Sequence, residues 1–328
     1  MKIAYLDLNE DDLIEDYSLN PNKYGGGRII ASTLLDRLND FHIFGNKECF
    51  NNLNEDKRNR QCFSLTLSER QAIKNGAPVK NFIQNINQYD IFFHHFSNIS
   101  INLDGHKKPK EVVWPVGWSE NVNENIKYIL FFDKKNQNAR YSKYAKVYDI
   151  VIGPRFEPFI ERKKENFIFQ CSRHGNLYQS IELASLCNKY NIKIYFAGPI
   201  EQEYDLLKYI NNKNSFYIGL ISQELKKDFF KKAKANVQIQ TYPISATLTG
   251  KEASSYGVPI LAAPIGGWND YIKHGINGFF IQNEEDFINA WHNLDIIKQE
   301  NCYNLGSDHS EEKMFELVVK SLQEIYNI

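Results

Sequence analysis

Short apolar runs recur along the chain, each bounded by glycine, proline or polar residues. In the first half they are Lys2–Leu6, His42–Phe44, Asp90–Phe93, Glu111–Trp114, Tyr128–Phe132 and Val147–Ile152. In the second half they are Phe167–Gln170, Lys193–Ala197, Ser215–Ile218, Asn236–Gln240 and Pro259–Ala263. Their length and their β-branched and aromatic content predict strands. Between them, apolar residues fall at helical spacing. Ile29–Leu38 carries Ile29, Ile30, Thr33, Leu34 and Leu38 on one side, and Asn176–Tyr190 carries Leu177, Ile181, Ala184 and Cys187. Further helices are predicted over 202–210, 222–235, 249–256, 284–293 and 310–325, with Asp308 or Ser310 capping the last. Strands alternating with helices predict parallel sheets covered on both faces. The charged stretch RFEPFIERKKEN (155–166) has no period and is predicted to be a linker. The expected layout is therefore a domain over 1–154, a linker over 155–166, a second domain over 167–305, and a closing helix over 306–328 that packs back toward the first domain. Both domains are α/β, doubly wound and Rossmann-like, and are expected to face a cleft lined by the carboxyl ends of their strands.

Composition changes this picture little. The chain has 328 residues and a net charge of −1, with 42% hydrophobic and 24% charged residues. These values describe an ordinary globular protein and argue against a strongly electrostatic nucleic-acid binder. The five cysteines are scattered, with no CxxC spacing; this predicts reduced thiols and no metal site. The amino terminus turns acidic after six residues and does not read as a signal peptide. No apolar run reaches the ~18–20 residues that span a bilayer. A cytoplasmic protein, at most attached to a membrane surface, is expected.

Candidate chemistry sits where strands end. Tyr24-Gly25-Gly26-Gly27-Arg28 follows the first strand and opens the first helix. Glycines there let the backbone approach a ligand, and the helix amino terminus offers N–H groups to an anion. His94-His95 ends the strand at 90–93, and Arg173-His174 follows the strand at 167–170. Gly198-Pro199 closes the strand at 193–197. Glu252 lies near the start of the helix at 249–256, and Gly266-Gly267 follows the strand at 259–263.

The segments FIFQCSRHGNLYQSIELA (167–184), IKIYFAGP (192–199), FYIGLISQELKKDFFKKAKANVQIQ (216–240), KEASSYGVPILAAPIGGWNDYIKHGINGFFI (251–281) and EEDF (284–287) resemble, in order and spacing, the retaining glycosyltransferases of the GT-B fold, the family 4-like, nucleotide-sugar-dependent group. The resemblance implies that Glu252 holds the ribose hydroxyls of the donor. It implies that Thr247 and Leu248 present backbone amides to the diphosphate, with Arg173 and His174 beside them, Gly198 in the same donor-binding set, and Ser245, Thr247 or Thr249 as neutral sugar contacts. Gly26 and Gly27 are implied near the reaction centre, and His95 and Arg173 as catalytic groups. Two departures stand out. Ile244 occupies the position of the family's first glutamate, and His174 stands where a lysine is usual.

The implied activity is transfer of a sugar from a nucleoside-diphosphate sugar to an acceptor hydroxyl, with retention and without a metal. The nucleotide sugar is a co-substrate, and no cofactor is called for. Glycan, lipid-linked, protein and modified-nucleobase acceptors all stay open, as does the oligomeric state. The alternatives are a sugar-nucleotide epimerase, an inverting transferase, or a degenerate nucleotide-binding or interaction protein. The lysine-rich helix ELKKDFFKKAKA (224–235) fits either a solvated face or a peripheral membrane contact, and the solvated face is preferred.

Overall fold

The computed structural model describes residues 1–7, 26–46, 55–75, 77, 79–86, 88–94, 109–114, 125–131, 142–143, 145–241, 243 and 247–328. The described residues form two compact units. One runs up to Ile152 and takes in Glu312–Ile328; the other is Gly153–Glu311.

The first unit is built on seven strands: β1 (Ile3–Leu6), β2 (Phe41–Gly45), β3 (Cys62–Ser64), β4 (Ile91–His94), β5 (Lys110–Val113), β6 (Tyr128–Phe131) and β7 (Lys146–Asp149). They pair in the order β3-β2-β1-β4-β5-β6-β7, every pair parallel. The strands at the centre, β1 and β4, are buried at every position. That is the expected pattern for a parallel sheet covered on both faces. Helices α1 (Gly26–Arg37), α2 (Glu55–Gln61), α3 (Leu67–Lys74) and α4 (Lys80–Ile86) connect the early strands. Thr66 and Glu69 form a reciprocal capping box at the start of α3. Phe82 and Ile86 of α4 pack with Leu6, Phe44, Tyr89 and Phe92.

In the second unit, six strands pair in the order β10-β9-β8-β11-β12-β13, again all parallel. They are β8 (Phe167–Cys171), β9 (Lys193–Ala197), β10 (Ser215–Tyr217), β11 (Ala235–Gln238), β12 (Ile260–Ala262) and β13 (Gly278–Phe280). The helices are α5 (Ser180–Lys189), α6 (Gln223–Lys232), α7 (Leu248–Ser255), α8 (Trp268–Tyr271), α9 (Glu284–Asn293) and α10 (Gln299–Ser307). One face of the sheet (Ile168, Ile194, Val237, Leu261) packs with Leu183 of α5 and Phe287 of α9. The other (Phe169, Cys171, Ile260, Ala262) packs with Phe230 of α6, Ala253 of α7 and Trp268 of α8. Strand order reverses between β8 and β11. In open α/β sheets the crevice beyond the carboxyl ends of two such strands is the usual ligand site.

The last helix, α11 (Glu311–Asn327), buries Met314, Val318, Leu322 and Ile325. It belongs from Glu312 onward to the first unit, where Arg37 pairs with Glu312 at 3.4 Å and Lys110 Nζ donates to the Ile325 carbonyl at 2.9 Å.

Two expectations need revising. The helix predicted over 202–210 is only a single 3₁₀ turn, Leu206–Tyr209. Glu203 sits at φ +67°, which interrupts any helix before it can propagate. The segment 155–166 does not hang between the units; it packs within the second. Glu165 N donates to the Lys232 carbonyl at 2.7 Å, and Arg162 is fixed by bonds to its own unit.

Candidate functional site

At the carboxyl end of β11 the chain turns into α7, and Thr247 caps that helix. Its hydroxyl accepts from Gly250 N at 3.2 Å. The amides of Leu248 and Thr249 lie in the first turn, where a helix has no intrahelical acceptors to offer. A Cβ at Gly250 would lie 2.4 Å from Cη2 of Trp268. Only glycine lets the start of α7 seat this tightly on the indole.

Glu252 follows in the second turn. Its Oε2 lies 2.8 Å from Nζ of Lys226 on α6, with the lysine 9% and the glutamate 27% exposed. Oε1 has no partner among the described residues. Burial pushes the thiol of Cys171, the last residue of β8, up to about 12; the charges of Lys226 and Glu252 also act on it, in opposite directions. The ion pair is therefore close to the carboxyl end of β8. It borders a cavity of about 350 Å³ lined also by Arg155, Gln223, Ser255 and Tyr256.

The loop after β8 holds Arg173 and His174, and they behave differently. Arg173 is exposed, and among the described residues no carboxylate lies within ion-pair distance. His174 is fully buried. Its Nε2 is 3.0 Å from the Ala197 carbonyl and its Nδ1 is 2.9 Å from Ser180 Oγ. A carbonyl only accepts, so Nε2 carries the proton, while Nδ1 and Gln170 Oε1, 3.0 Å from the same hydroxyl, compete for the one proton of Ser180. Burial lowers the ring pKa to about 4. Both nitrogens are engaged inside the fold, so His174, read from the sequence as a diphosphate neighbour, has no free nitrogen for one. It ties the β8 loop to the β9 loop, with its own N–H donating to Pro199 O at 2.8 Å. Gly198 serves the same junction. It sits at φ +121°, and a Cβ there would lie 2.0 Å from the Ser172 carbonyl.

Gly26 and Gly27 form the first turn of α1, after β1. His95, Gly25 and Ile244 lie outside the described residues. His94, the end of β4, is buried, with Nε2 2.8 Å from Glu111 Oε1.

Arg162 is the residue that the sequence reading missed. Its guanidinium donates to the carbonyls of Tyr256, Gly257 and Ala233, and its backbone exchanges bonds with the Gln299 side chain. Ala233 and Tyr256 close α6 and α7. One cation therefore holds the carboxyl ends of both helices that carry the Lys226–Glu252 pair. The signal was faint: a single arginine in a charged run without period.

The lysine-rich helix is likewise less uniform than its composition. Lys226 turns inward, and Lys234 pairs with Asp295 at 2.9 Å. Lys232 is 3.9 Å from Glu165, while Lys227 and Lys231 face solvent. Among the described residues no group of three or more His, Cys, Asp or Glu is placed to hold a metal ion, and no helix is long and apolar enough to cross a membrane.

The model of the glycosyl transferases group 1 family matches residues 155–301. No curated protein matches the sequence. Solved structures match over nearly the whole chain. HepE of Anabaena, crystallised with UDP, is 14% identical, with 99% of this chain and 100% of that one covered at a TM-score of 0.68. AviGT4, a glycosyltransferase involved in avilamycin A biosynthesis, is 14% identical, with 100% and 98% covered at 0.66. A glycosyltransferase from Rickettsia africae is 14% identical, with 99% and 97% covered at 0.70. The two parallel sheets thus have the GT-B fold, and residues 155–301 match the glycosyl transferases group 1 family.

Proposed function

We propose that the protein transfers a sugar from a nucleoside-diphosphate donor to an acceptor hydroxyl, with retention of anomeric configuration. The observation that carries this reading is α7. Its capped amino terminus opens at the strand-order reversal of the domain that matches the group 1 family, with a carboxylate one turn further in. A helix amino terminus favours an anion through its free amides and its dipole. The first-turn amides and Arg173 are assigned to the diphosphate; an arginine adds a bidentate, charge-assisted clamp. Glu252 is assigned to the ribose. Lys226 holds one carboxylate oxygen, which leaves Oε1 to accept from the vicinal hydroxyls. The HepE structures contain UDP, glucose or UDP-glucose, which supports uridine diphosphate as the carrier here.

In this reading the bond between the anomeric carbon and the diphosphate oxygen breaks. The acceptor oxygen bonds to that carbon on the same face, and the acceptor proton leaves with the diphosphate. The protein contributes charge stabilisation where negative charge develops on the leaving group. Gly26, Gly27 and His95 are assigned to the acceptor and reacting-sugar side, from the resemblance alone.

The test uses the full chain and a panel of UDP-sugars, with release of UDP followed over time. Turnover with one donor supports the reading. Glu252→Gln removes the charge that receives the ribose hydroxyls, which corresponds to ~1.5–3 kcal/mol and a roughly 10- to 100-fold weaker Kd for UDP. Unchanged affinity in that variant contradicts the ribose role. Binding of UDP without turnover of any donor favours a nucleotide-binding protein instead.

A further inference from the structure

β11 carries a row of buried amides on one face. Asn236 and Gln238 are opposite Ile260 and Ala262 of β12, which places them on the side covered by α6 and α7. Just past the strand's end, Ile239 packs on the opposite face and Gln240 follows it. All three amides are buried, with Gln240 at 3% exposure.

Their hydrogen bonding declines along the strand. Asn236 Nδ2 donates to the Phe169 carbonyl at 2.7 Å. Gln238 Nε2 donates to Asn236 Oδ1 at 3.1 Å, but Gln238 Oε1 has no partner among the described residues. In Gln240 neither Oε1 nor Nε2 has one among them. The row is satisfied where it is deepest in the sheet and bare at the carboxyl end. That end is the reversal point between β8 and β11, seven residues before the α7 cap. A buried carboxamide with both its donor and its acceptor unmet is costly, and native structures seldom keep one without a use.

We propose that Gln240 is a substrate-contacting residue that hydrogen-bonds hydroxyls of the donor's sugar and sets which sugar is accepted. This assignment rests on the donor reading above. A neutral carboxamide gives and takes one hydrogen bond at once, which suits a pair of sugar hydroxyls. It does not suit the diphosphate, which only accepts. The contact is specific because a buried polar group rejects a ligand that leaves it unpaired more strongly than an apolar pocket rejects a misfit.

The experiment compares the wild-type chain with Gln240→Leu and Gln240→Met. Calorimetry gives Kd for UDP and for the UDP-sugar that the wild type turns over, and thermal melting reports on the fold. Both variants are expected to leave the Kd for UDP within twofold, to weaken UDP-sugar binding at least tenfold, and to melt at or above the wild-type temperature, since no internal hydrogen bond is lost. UDP-sugar affinity within twofold of wild type overturns the assignment. So does a lowered melting temperature, or failure of both variants to fold, because the amide would then serve the fold. If the wild type binds no UDP or UDP-sugar, the donor reading falls and this assignment falls with it. If the wild type binds and only the variants fail to discriminate, the assignment alone falls.

Discussion

Removing the guanidinium of Arg162 tests how the two site helices are held. The side chain is well buried, and burial lowers its pKa from 12.5 to about 10. That difference corresponds to a desolvation cost of ~3 kcal/mol. Against it stand three charge-assisted bonds to the carbonyls of Tyr256, Ala233 and Gly257, at roughly 1.5–3 kcal/mol each. Arg162→Met keeps most of the packing volume but leaves three acceptors without partners at the ends of α6 and α7. The expected loss of stability is ~3 kcal/mol, the lower part of the range for breaking a buried charged contact. The assay is urea unfolding followed by tryptophan fluorescence in a Trp114→Phe, Trp118→Phe background, which leaves Trp268 and Trp291 of the second unit as the reporters. Arg162→Lys keeps the charge but cannot reach three divergent carbonyls, and should recover less than half of the loss. A loss below ~1 kcal/mol for the methionine variant would refute the reasoning. It would mean that the carbonyls are hydrated in the native state and that the charge contributes little to clamping the helices.

Two further outcomes follow from the loop junction. His174 has a folded pKa of about 4 against 6.5 for a free ring, so the unfolded chain takes up the proton first. Its contribution is complete above pH 6.5 and is lost as pH falls toward 4, to a total of ~3 kcal/mol. Urea midpoints at several pH values should therefore fall more steeply in the wild type than in His174→Gln, and parallel slopes would show the ring to be solvated. Gly198→Ala places a methyl against the Ser172 carbonyl at a backbone angle disfavoured for alanine. A loss of ~2–4 kcal/mol is expected, read as a lower melting temperature; an unchanged melt would show that the loop relaxes freely.

Much of the fold could be read from the chain because its strands are self-announcing. Runs such as Phe167–Gln170 are buried on both faces, so hydrophobicity and length alone locate them. Glu284–Asn293 could be read for the complementary reason: its helical period reports one buried face, and Asn283 caps it. β3 and β13, three residues each at the sheet edges, were not read from the chain. The place of Glu252 near the start of a helix after β11 could be read from the chain, and the structure sets it in the second turn of α7. The residues that the sequence hid have roles that depend on other elements. Lys226 and Lys227 are neighbours on a charged helix, yet one is buried against Glu252 and the other faces water. Only the packing of α6 against α7 separates them. Arg162 lies in a stretch without pattern because its partners are the ends of helices 71 to 95 residues away. His174 occupies a position associated with ligand binding, but the arrival of Ala197 and Ser180 turns it inward. The residues whose surroundings the sequence hid share one property. Each is a polar side chain whose partner is a backbone or side-chain group brought in by the sheet's crossovers. Residue type tells which bonds such a group can form, but topology decides whether a ligand or the protein itself is there to form them.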